Sequence, residues 1–564
     1  MSRLVGVLPT LLASVVVSAV CAAQTPPSLP PGFPQPPRDT STQPGSAGIR
    51  GHVYDASTGQ PLRKAQVRTF SPELRENRVT LTDNTGAYEV KNLPAGRYTL
   101  TASKGSFVSL QYGQTRPFEV GKPLEVRNAQ QLDKVDVSLP HGAVITGRVV
   151  DEVGEPTTNV QVAVQRYQYM NGRRQLSMFN VAQTNDIGEY RLFGLPPGQF
   201  FISATLRMGG PINEQSDDRS GYAPTYYPGT ANLAEAQRIT VTVGQQLNDI
   251  NIALSPTRLA RISGTAVDSQ GKPTVNGVLM MIQTSGGGFI STAGSQIRPD
   301  GSFTISNVAP GEYTLRVMTP VGPLTSPSVE SVQTTLSVAG EDLTDVRLVG
   351  VKPSTATGSV IYAASQPTNT NLSALQLQVV SQDPTPLTGG GSGRVNDDGT
   401  FELLAQPGIA FIRMNPVGVF AGTRIKAVRL NGVDVTDSGI DFKPNESLSG
   451  LEIELTTQLS SVSGVVTDAR SNAVKDYSVV IFPRDRERWG PGSRYLNFGR
   501  PDQDGRYKAL NLPPGDYYAI ALDYVEQGAN TDPEFLDRIR ERAVEFSMAD
   551  GETKNLDLRL MTGI

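Results

Sequence analysis

Apolar and polar residues alternate along most of this chain, and turns interrupt the alternation at regular intervals. In segments 98–102 and 313–317, every second residue is apolar (Tyr98, Leu100 and Ala102 in the first). A period of two is typical of a β-strand with one buried face. Each of these strands follows a Pro-Gly corner or a close variant of it. Repeated short strands separated by turns predict an all-β chain.

One motif occurs five times and divides the chain into repeats. A turn glycine is followed within two residues by an aromatic residue, and then by a second glycine at the corner. The two glycines are 10 residues apart in four copies and 9 in the copy at Gly399 and Gly408. The five glycine pairs are Gly86 and Gly96, Gly188 and Gly198, Gly301 and Gly311, Gly399 and Gly408, and Gly505 and Gly515. Such constant spacing indicates one structural unit present in five copies.

Each repeat opens on a strand with a central glycine, as in segments 49–53 and 145–149. A glycine inside a strand weakens it, so its recurrence predicts a β-bulge or a close approach of another backbone. In the next turn and in the Pro-Gly corner, we expect the glycines to supply the positive φ that the bends need. Roughly seven short strands per repeat predict an antiparallel β-sandwich.

The pattern predicts seven regions in the chain. They are a signal peptide at 1–23, a Pro-rich disordered tether at 24–47, and five β-sandwiches at 48–140, 141–256, 257–351, 352–457 (divergent) and 458–564. Short linkers between the repeats predict limited bending. Two helices are expected, one over 533–546 with Asp532 as N-cap and a shorter one over 232–237.

These motifs resemble the carboxypeptidase regulatory-like domain. The resemblance rests on Gly-x-Val near the start of the repeat, Asp-x-x-Gly-x-aromatic, and Leu-Pro-x-Gly-x-Tyr-x-Leu, and it covers nearly all of 48–562. It implies a tandem array of five transthyretin-like, carbohydrate-binding-like sandwiches, related to collagen-adhesin B-type repeats and typical of secreted bacterial proteins. Those adhesins often carry a Lys–Asn isopeptide bond. No opening strand here contains Lys, so we expect none.

The N-terminal segment and the net charge indicate where this chain resides and which partners are not expected. Arg3 precedes an apolar run that ends at Cys21-Ala22-Ala23, which is typical of a signal peptide and predicts export to the periplasm, outer surface or medium. Lipoprotein processing at Cys21, the only cysteine, is the less favoured alternative. We expect no transmembrane segment in the mature chain. A net charge of −4 gives no reason to expect nucleic acid.

The chain has few of the residues and motifs that known catalytic sites require. A catalytic zinc site needs three ligands, and the chain has only two histidines, His52 and His141, without metalloprotease spacing. No Gly-x-Ser-x-Gly or nucleotide-binding glycine motif occurs. Asp217-Asp218 and Asp397-Asp398 suit turns better than calcium sites. We therefore predict no enzyme, no catalytic or metal-ligating residue and no cofactor.

Exposed aromatic rings that stack on sugars are the candidate ligand contacts. They fall in loops where the repeats differ, within 165–180, 209–230 and 484–500. The candidates are Trp489, Tyr495, Tyr222, Tyr226, Tyr227, Tyr167 and Tyr169. The alternative is that these rings pack within or between repeats.

The leading hypothesis is a non-catalytic exported protein that binds a polysaccharide or a cell-surface protein through such loops. A structural spacer or adhesion stalk without a small ligand is the second. An accessory component of an outer-membrane nutrient-uptake system is the third. The sequence does not define the ligand or the oligomeric state.

Overall fold

The computed structural model describes residues 45–563, apart from 75, 171, 207–219, 276, 284–289, 319–329, 365–370, 383–389, 416–419, 421 and 491. The predicted signal peptide and nearly all of the predicted tether therefore lie outside the described residues. Ala47, the last residue of that tether, begins the first strand and is buried. The described part is all β, as predicted, with one α-helix. No helix in this part of the chain has the length and apolarity to cross a membrane.

Each of seven hydrophobic clusters among the described residues draws its buried residues, apart from Ala47, from one predicted repeat. Each of the five largest contains one of the fully buried rings of Tyr98, Phe200, Tyr313, Phe442 and Tyr517. Burial of apolar area is the main stabilising contribution to folding, so each of these five clusters serves as the core of its own predicted repeat. The number of repeats and the boundary residues between them stay predictions.

The first repeat forms two sheets, with strand orders β4-β1-β8 and β3-β2-β5-β6. In addition, β9 pairs with β1 and β7 pairs with β5. The strands are β1 (Ala47–Asp55), β2 (Gln66–Phe70), β3 (Arg78–Leu81), β4 (Ala87–Leu93), β5 (Gly96–Ser103), β6 (Leu110–Gln111), β7 (Leu124–Val126), β8 (Gln131–Leu132) and β9 (Val137–Leu139).

The second repeat has the same two-sheet order, β13-β10-β18 and β12-β11-β14-β16. A further two-stranded sheet, β15-β20, joins it to the start of the third repeat. The strands are β10 (Ala143–Val150), β11 (Val160–Met170), β12 (Arg173–Gln183), β13 (Glu189–Leu195), β14 (Gly198–Leu206), β15 (Ser220–Tyr222), β16 (Thr225–Tyr226), β17 (Ile239–Val241), β18 (Gln246–Leu247), β19 (Ile252–Ala253) and β20 (Pro256–Arg258).

In the third and fourth repeats, strand pairing continues from one sheet into the other. The orders are β23-β22-β25-β26-β27-β21-β24 and β34-β33-β36-β28-β31-β30-β29-β32-β35. The third repeat contains β21 (Ala260–Val267), β22 (Val278–Gln283), β23 (Ile290–Gln296), β24 (Ser302–Val308), β25 (Gly311–Met318), β26 (Ser331–Val338) and β27 (Leu343–Val351). The fourth contains β28 (Ser354–Tyr362), β29 (Gln376–Ser381), β30 (Gly391–Val395), β31 (Thr400–Ala405), β32 (Gly408–Met414), β33 (Arg424–Leu430), β34 (Val433–Asp434), β35 (Ile440–Phe442) and β36 (Ser447–Thr456).

The fifth repeat has the order β38-β37-β45-β42-β39-β40, with three further strands paired to β37 or β42. Its strands are β37 (Ser461–Thr467), β38 (Ala473–Val474), β39 (Ser478–Pro483), β40 (Asn497–Gly499), β41 (Arg506–Leu510), β42 (Gly515–Leu522), β43 (Val544–Met548), β44 (Thr553–Asn555) and β45 (Leu558–Met561). In all five repeats the opening and closing strands pair in parallel, while most other pairs are antiparallel.

The central glycine of each opening strand faces a main-chain carbonyl that lies in the closing strand or two residues before it. A Cβ on Gly147 would lie 1.9 Å from the Ile250 oxygen, and one on Gly264 would lie 1.8 Å from the Val346 oxygen. The corresponding pairs elsewhere are Gly51 with Val135, Gly358 with Leu451, and Gly464 with Leu556. In the third and fourth repeats a bulge adds one residue to the closing strand at this point. The predicted close approach is confirmed, because no side chain fits there.

Positive φ occurs, as predicted, at the corner glycine of four repeats, Gly198, Gly311, Gly408 and Gly515, and not at Gly96 of the first repeat. It also occurs just before the corner, at Asn92, Asn307 and Asn511 and at Gly194 in the second repeat. Asparagine adopts the left-handed region more readily than most residues, because its short polar side chain can hydrogen-bond locally. The earlier turn glycines, such as Gly86 with φ of 75°, do have positive φ as predicted.

The tyrosine after the corner fixes that bend from inside the core. The hydroxyl of Tyr98 donates to the Pro94 carbonyl at 2.7 Å, that of Tyr313 to Ala309 at 2.8 Å, and that of Tyr517 to Pro513 at 2.6 Å. Burial raises the pKa of Tyr98 and of Tyr313 to about 12. These hydroxyls therefore stay protonated and able to donate throughout the physiological range.

Replacing Tyr517 with phenylalanine is expected to lower the free energy of unfolding of the fifth repeat by about 1 kcal/mol. The substitution keeps the ring and leaves the buried Pro513 carbonyl without this donor. The fluorescence of Trp489, the single tryptophan, reports this repeat during urea unfolding. Tyr518→Phe in the same strand is the control and should change stability by less than about 0.5 kcal/mol. Equal losses in both variants would contradict the assigned role.

The only α-helix among the described residues, α1 (Pro533–Arg540), is shorter than predicted. Asp532 caps it as expected, accepting from the amides of Glu534 and Phe535. Residues 544–548 instead form β43, and Phe546 stacks on Tyr517 with ring centroids 5.5 Å apart. Alternating Val-Glu-Phe-Ser-Met fits a strand, and pairing with β42 decides the conformation. The second predicted helix is a 3-10 turn at Leu233–Glu235, capped by Asn232.

Candidate functional site

The predicted tyrosine loop of the second repeat packs largely onto its own sandwich. Tyr226 is 6% exposed and contacts the cluster around Leu176 and Phe201. Tyr222 and Tyr227 are half-buried against the main core of this repeat. The Tyr222 hydroxyl hydrogen-bonds to Glu152, and this bond raises the Tyr222 pKa to about 12.

Tyr167 and Tyr169, predicted to lie in a loop, are part of strand β11, which pairs with β12 in a hairpin and extends toward the fifth repeat. Tyr167 sits edge-on to Phe201 at 5.9 Å, with the Arg174 guanidinium 5.1 Å from its ring. Tyr169 packs against the cluster that contains Phe535 and Leu536 of the fifth repeat. The approach is close, because a Cβ on Gly528 would lie 2.4 Å from the Tyr169 carbonyl oxygen.

The two candidate rings of the fifth repeat are buried. Trp489 is 5% exposed, and its Nε1 donates to the Pro483 carbonyl at 2.7 Å. Tyr495 is 6% exposed and stacks on Tyr517. Burial raises the pKa of the Tyr495 hydroxyl.

The seven predicted rings therefore do not form one exposed surface. A sugar could reach Trp489, Tyr495 or Tyr226 only if the surrounding chain opened, because stacking needs a free ring face. Tyr222, Tyr227, Tyr167 and Tyr169 keep part of their surface exposed. Contact of these rings with a ligand stays a prediction.

Charged residues that the sequence analysis did not single out join the first repeat to the fifth. The Arg500 side chain is 0% exposed and pairs with Glu119, which is 1% exposed, at 2.6 Å. Arg500 also donates to the Val120 carbonyl at 3.0 Å and pairs with Asp476. Removing one partner of a buried ion pair lowers the stability strongly, because the other charge is then buried without an opposite charge beside it. The pair therefore fixes the contact between these repeats.

A second set of contacts brings in the second repeat. The Arg166 guanidinium lies 3.3 Å from the centroid of the Phe118 ring and pairs with Glu526. Burial lowers the pKa of Arg166, and the Glu526 carboxylate opposes this shift. The Tyr524 hydroxyl donates to the Pro117 carbonyl at 2.9 Å. Residues from the first, second and fifth repeats thus meet at one place, which we call the terminal junction.

The predicted variable loops supply many of these contacts. Segment 165–180, which forms the β11–β12 hairpin instead of a loop, contributes Arg166 and Tyr169, and segment 484–500 contributes Arg500. The latter segment also reaches the fourth repeat, where Arg494 forms a bidentate pair with Asp437 at 2.7 and 3.0 Å. Of the third predicted loop, 209–230, residues 209–219 lie outside the described residues. Limited bending between repeats stays a prediction.

The histidine environments do not form a hydrolytic triad. His141 Nε2 lies 3.1 Å from Asp55, and its ring stacks on Phe107. The Ser57 hydroxyl donates to the same Asp55 carboxylate, so the carboxylate stands between the serine and the imidazole. Hydrogen bonds from Ser57 hold the Asp55 pKa well below its usual range. His52 lies at the surface beside Asp136.

No group of three His, Cys, Asp or Glu side chains suited to a metal ion occurs in the described part of the chain. Asp398 accepts from the Thr400 amide at 2.9 Å and hydroxyl at 2.6 Å, as a turn residue does. These bonds lower its pKa. Asp217-Asp218 lies outside the described residues.

Sequence reasoning missed the terminal junction because its signal is not local. Arg500 and Glu119 are separated by more than 380 residues, and neither belongs to the repeated motif. A lone charged residue in a loop is most often solvated, so nothing in its neighbours predicts a buried partner. The only sequence signal for the junction was that segments 165–180 and 484–500 differ from one repeat to the next.

Comparison with known proteins supports the resemblance stated above. Residues 48–139 match the family model described as carboxypeptidase regulatory-like domain. A curated relative is the TonB-dependent transporter Oar of Myxococcus xanthus, 33% identical over 113 residues. The match covers 20% of this chain and 10% of the transporter, so the chain spans about a tenth of that relative's length.

Several solved structures are similar at low identity. A Streptococcal ancillary pilin is 12% identical, with 54% of this chain and 98% of the pilin covered and a TM-score of 0.20. The TIE protein of Bacillus anthracis is 11% identical, with 74% of each chain covered and a TM-score of 0.14. BcpA, the major pilin subunit of Bacillus cereus, is 10% identical, with 54% and 99% covered and a TM-score of 0.15. Sequence identities and TM-scores this low support no conclusion about function.

Proposed function

We propose that this chain is a non-catalytic exported protein that binds a polysaccharide or a cell-surface protein. The observation that supports this most is the terminal junction. The loops that vary between repeats are held in place by contacts such as Arg500 with Glu119 and Arg166 with Glu526. Surfaces ordered before binding lose less conformational entropy when a ligand arrives, which favours recognition.

The accessible tyrosines remain the proposed stacking contacts. Tyr222 is suitable because it is half-buried, its hydroxyl is anchored to Glu152, and its strand β15 is paired with β20. An anchored ring presents a fixed face and loses little side-chain freedom on binding. Tyr227, in the same loop, packs on the same core.

A glycan array probed with residues 45–564 tests this function. We expect binding to one or more polysaccharides, weakened roughly fivefold or more by Tyr222→Ala, since an aromatic contact contributes about 1 kcal/mol. Tyr222→Phe is the matched comparison: it keeps the ring and loses only the anchor to Glu152, so it should bind more tightly than Tyr222→Ala and more weakly than the unmodified chain. Absence of binding to every glycan and to intact cells would contradict the proposed function.

The second candidate is a structural spacer, favoured by the same use of variable loops for contacts between repeats. It predicts no ligand-induced rise in melting temperature with any glycan on the array. The third candidate is an accessory role in outer-membrane nutrient uptake, supported by the 113-residue similarity to a TonB-dependent transporter. Co-purification of the chain with an outer-membrane receptor would favour that role over the other two.

A further inference from the structure

A polar groove lies beside the terminal junction, between the first and fifth repeats. Its volume is about 290 Å³, near the lower end for small-molecule sites. The first repeat supplies Arg97, Glu125 and Arg127, and β41 of the fifth repeat supplies Arg506 and Lys508. The groove therefore exists only while the two repeats are in contact.

The groove floor is fixed by reciprocal hydrogen bonds across the two repeats. The Glu125 amide donates to Gln503 Oε1 at 3.0 Å, and Gln503 Nε2 donates to the Glu125 carbonyl at 3.2 Å. Arg500, which also lines the groove, is held by Glu119. These contacts set the spacing between the cationic side chains on the two walls.

The charges in the groove are not balanced. Arg127, Arg506 and Lys508 are exposed and have no ion-pair partner within the described ranges. Of the acidic residues nearby, one accepts backbone hydrogen bonds and one pairs with an arginine. Asp502 accepts from the amides of Asp504 and Arg506, and Glu125 lies 3.7 Å from Arg97. Amide hydrogen bonds leave the charge of Asp502 in place, so three cations without an ion-pair partner face two carboxylates without one, those of Asp502 and Asp504. A net positive charge therefore remains in the groove, although the whole chain has a net charge of −4.

We propose that this groove binds an anionic sugar unit of a polysaccharide through Arg127, Arg506 and Lys508. Guanidinium groups form strong paired hydrogen bonds with carboxylate and phosphate oxygens, and a lysine adds a point charge. Such groups are the acidic substituents of many surface polysaccharides, whereas a neutral glycan gains nothing from these cations. The inference rests on the proposed function and adds the chemical class of the ligand.

The test measures binding of residues 45–564 to three polymers at low salt: polygalacturonate, dextran sulfate and neutral dextran. We expect binding to at least one anionic polymer and not to dextran. Binding to polygalacturonate alone identifies a carboxylate as the recognised group, and binding to dextran sulfate alone identifies a sulfate- or phosphate-like group. The triple variant Arg127→Gln, Arg506→Gln, Lys508→Gln should bind at least tenfold more weakly and lose most of the salt dependence.

The matched control removes three exposed cations elsewhere, as Arg68→Gln, Lys272→Gln and Arg347→Gln, with the same change in net charge. It should bind within about twofold of the unmodified chain. Circular dichroism and melting temperature verify that both variants are folded. Equal weakening in both variants, or none in the groove variant, would overturn the inference.

The two proposals fail in different ways. Glycan binding confined to neutral sugars would overturn the anionic groove and leave the proposed function in place. Absence of any glycan or cell binding would overturn both.

Discussion

Replacing Arg500 with methionine is expected to reduce the stability of the contact between the first and fifth repeats by about 3–5 kcal/mol. Both Arg500 and Glu119 are almost completely buried, so the substitution leaves the Glu119 carboxylate without its cation. Hydrogen bonds from Thr115 and Arg116 amides at 3.1 and 3.3 Å compensate only in part. Arg500→Met should therefore destabilise the terminal junction and leave the stability of the separate hydrophobic cores nearly unchanged.

Limited proteolysis and urea unfolding monitored by Trp489 fluorescence measure this effect. The double variant Arg500→Met, Glu119→Leu should recover much of the loss, because it removes both buried charges together. Arg116→Ala is the control, since its pair with Asp523 is largely exposed and contributes about 0–1 kcal/mol. A similar small effect for Arg500→Met would show that the buried pair does not hold the junction.

The second large effect is expected at Gly51. An alanine there would place its Cβ 2.0 Å from the Val135 oxygen and 3.0 Å from the Tyr88 hydroxyl. Tyr88 donates to that same carbonyl, so moving the closing strand away also weakens the hydrogen bond. We expect Gly51→Ala to destabilise the first repeat by about 3 kcal/mol or more, since core overcrowding and a damaged buried hydrogen bond add together.

Gly105→Ala is the matched control in the same repeat. No heavy atom lies within 4 Å of a Cβ at Gly105. Its effect should stay within about 0.5 kcal/mol. Hydrogen exchange of the β1 and β4 amides, which pair through Gly51 and Tyr88, measures the difference. Normal protection of these amides in Gly51→Ala would contradict the close-approach interpretation.

The features that could be predicted from the sequence are those set by local pattern. Alternation places Tyr98, Leu100 and Ala102 in the core, and the recurrent strand glycines indicate the backbone approach. Positive φ at Gly86 follows from the same chemistry. Each signal lies within a few residues of the feature that it predicts.

Features decided by tertiary contact were harder to predict. The helix expected over 533–546 ends at Arg540, because pairing with β42 determines the structure of 544–548. Trp489 is a candidate for ligand stacking in the sequence analysis, yet its indole packs edge-on against Phe482. Burial depends on which segments fold over a ring, and neighbouring residues do not define that.

The terminal junction and its groove depend on pairs such as Arg500 with Glu119 and Gln503 with Glu125, from the two ends of the chain. A distance measurement between the terminal repeats tests this arrangement most directly. Spin labels at Arg68→Cys and Glu541→Cys, both exposed, are placed in a chain of residues 45–564, which has no native cysteine. Double electron–electron resonance should give one narrow distance distribution, which broadens with Arg500→Met. A broad distribution in the chain with an intact Arg500 would contradict the junction and the groove that depends on it.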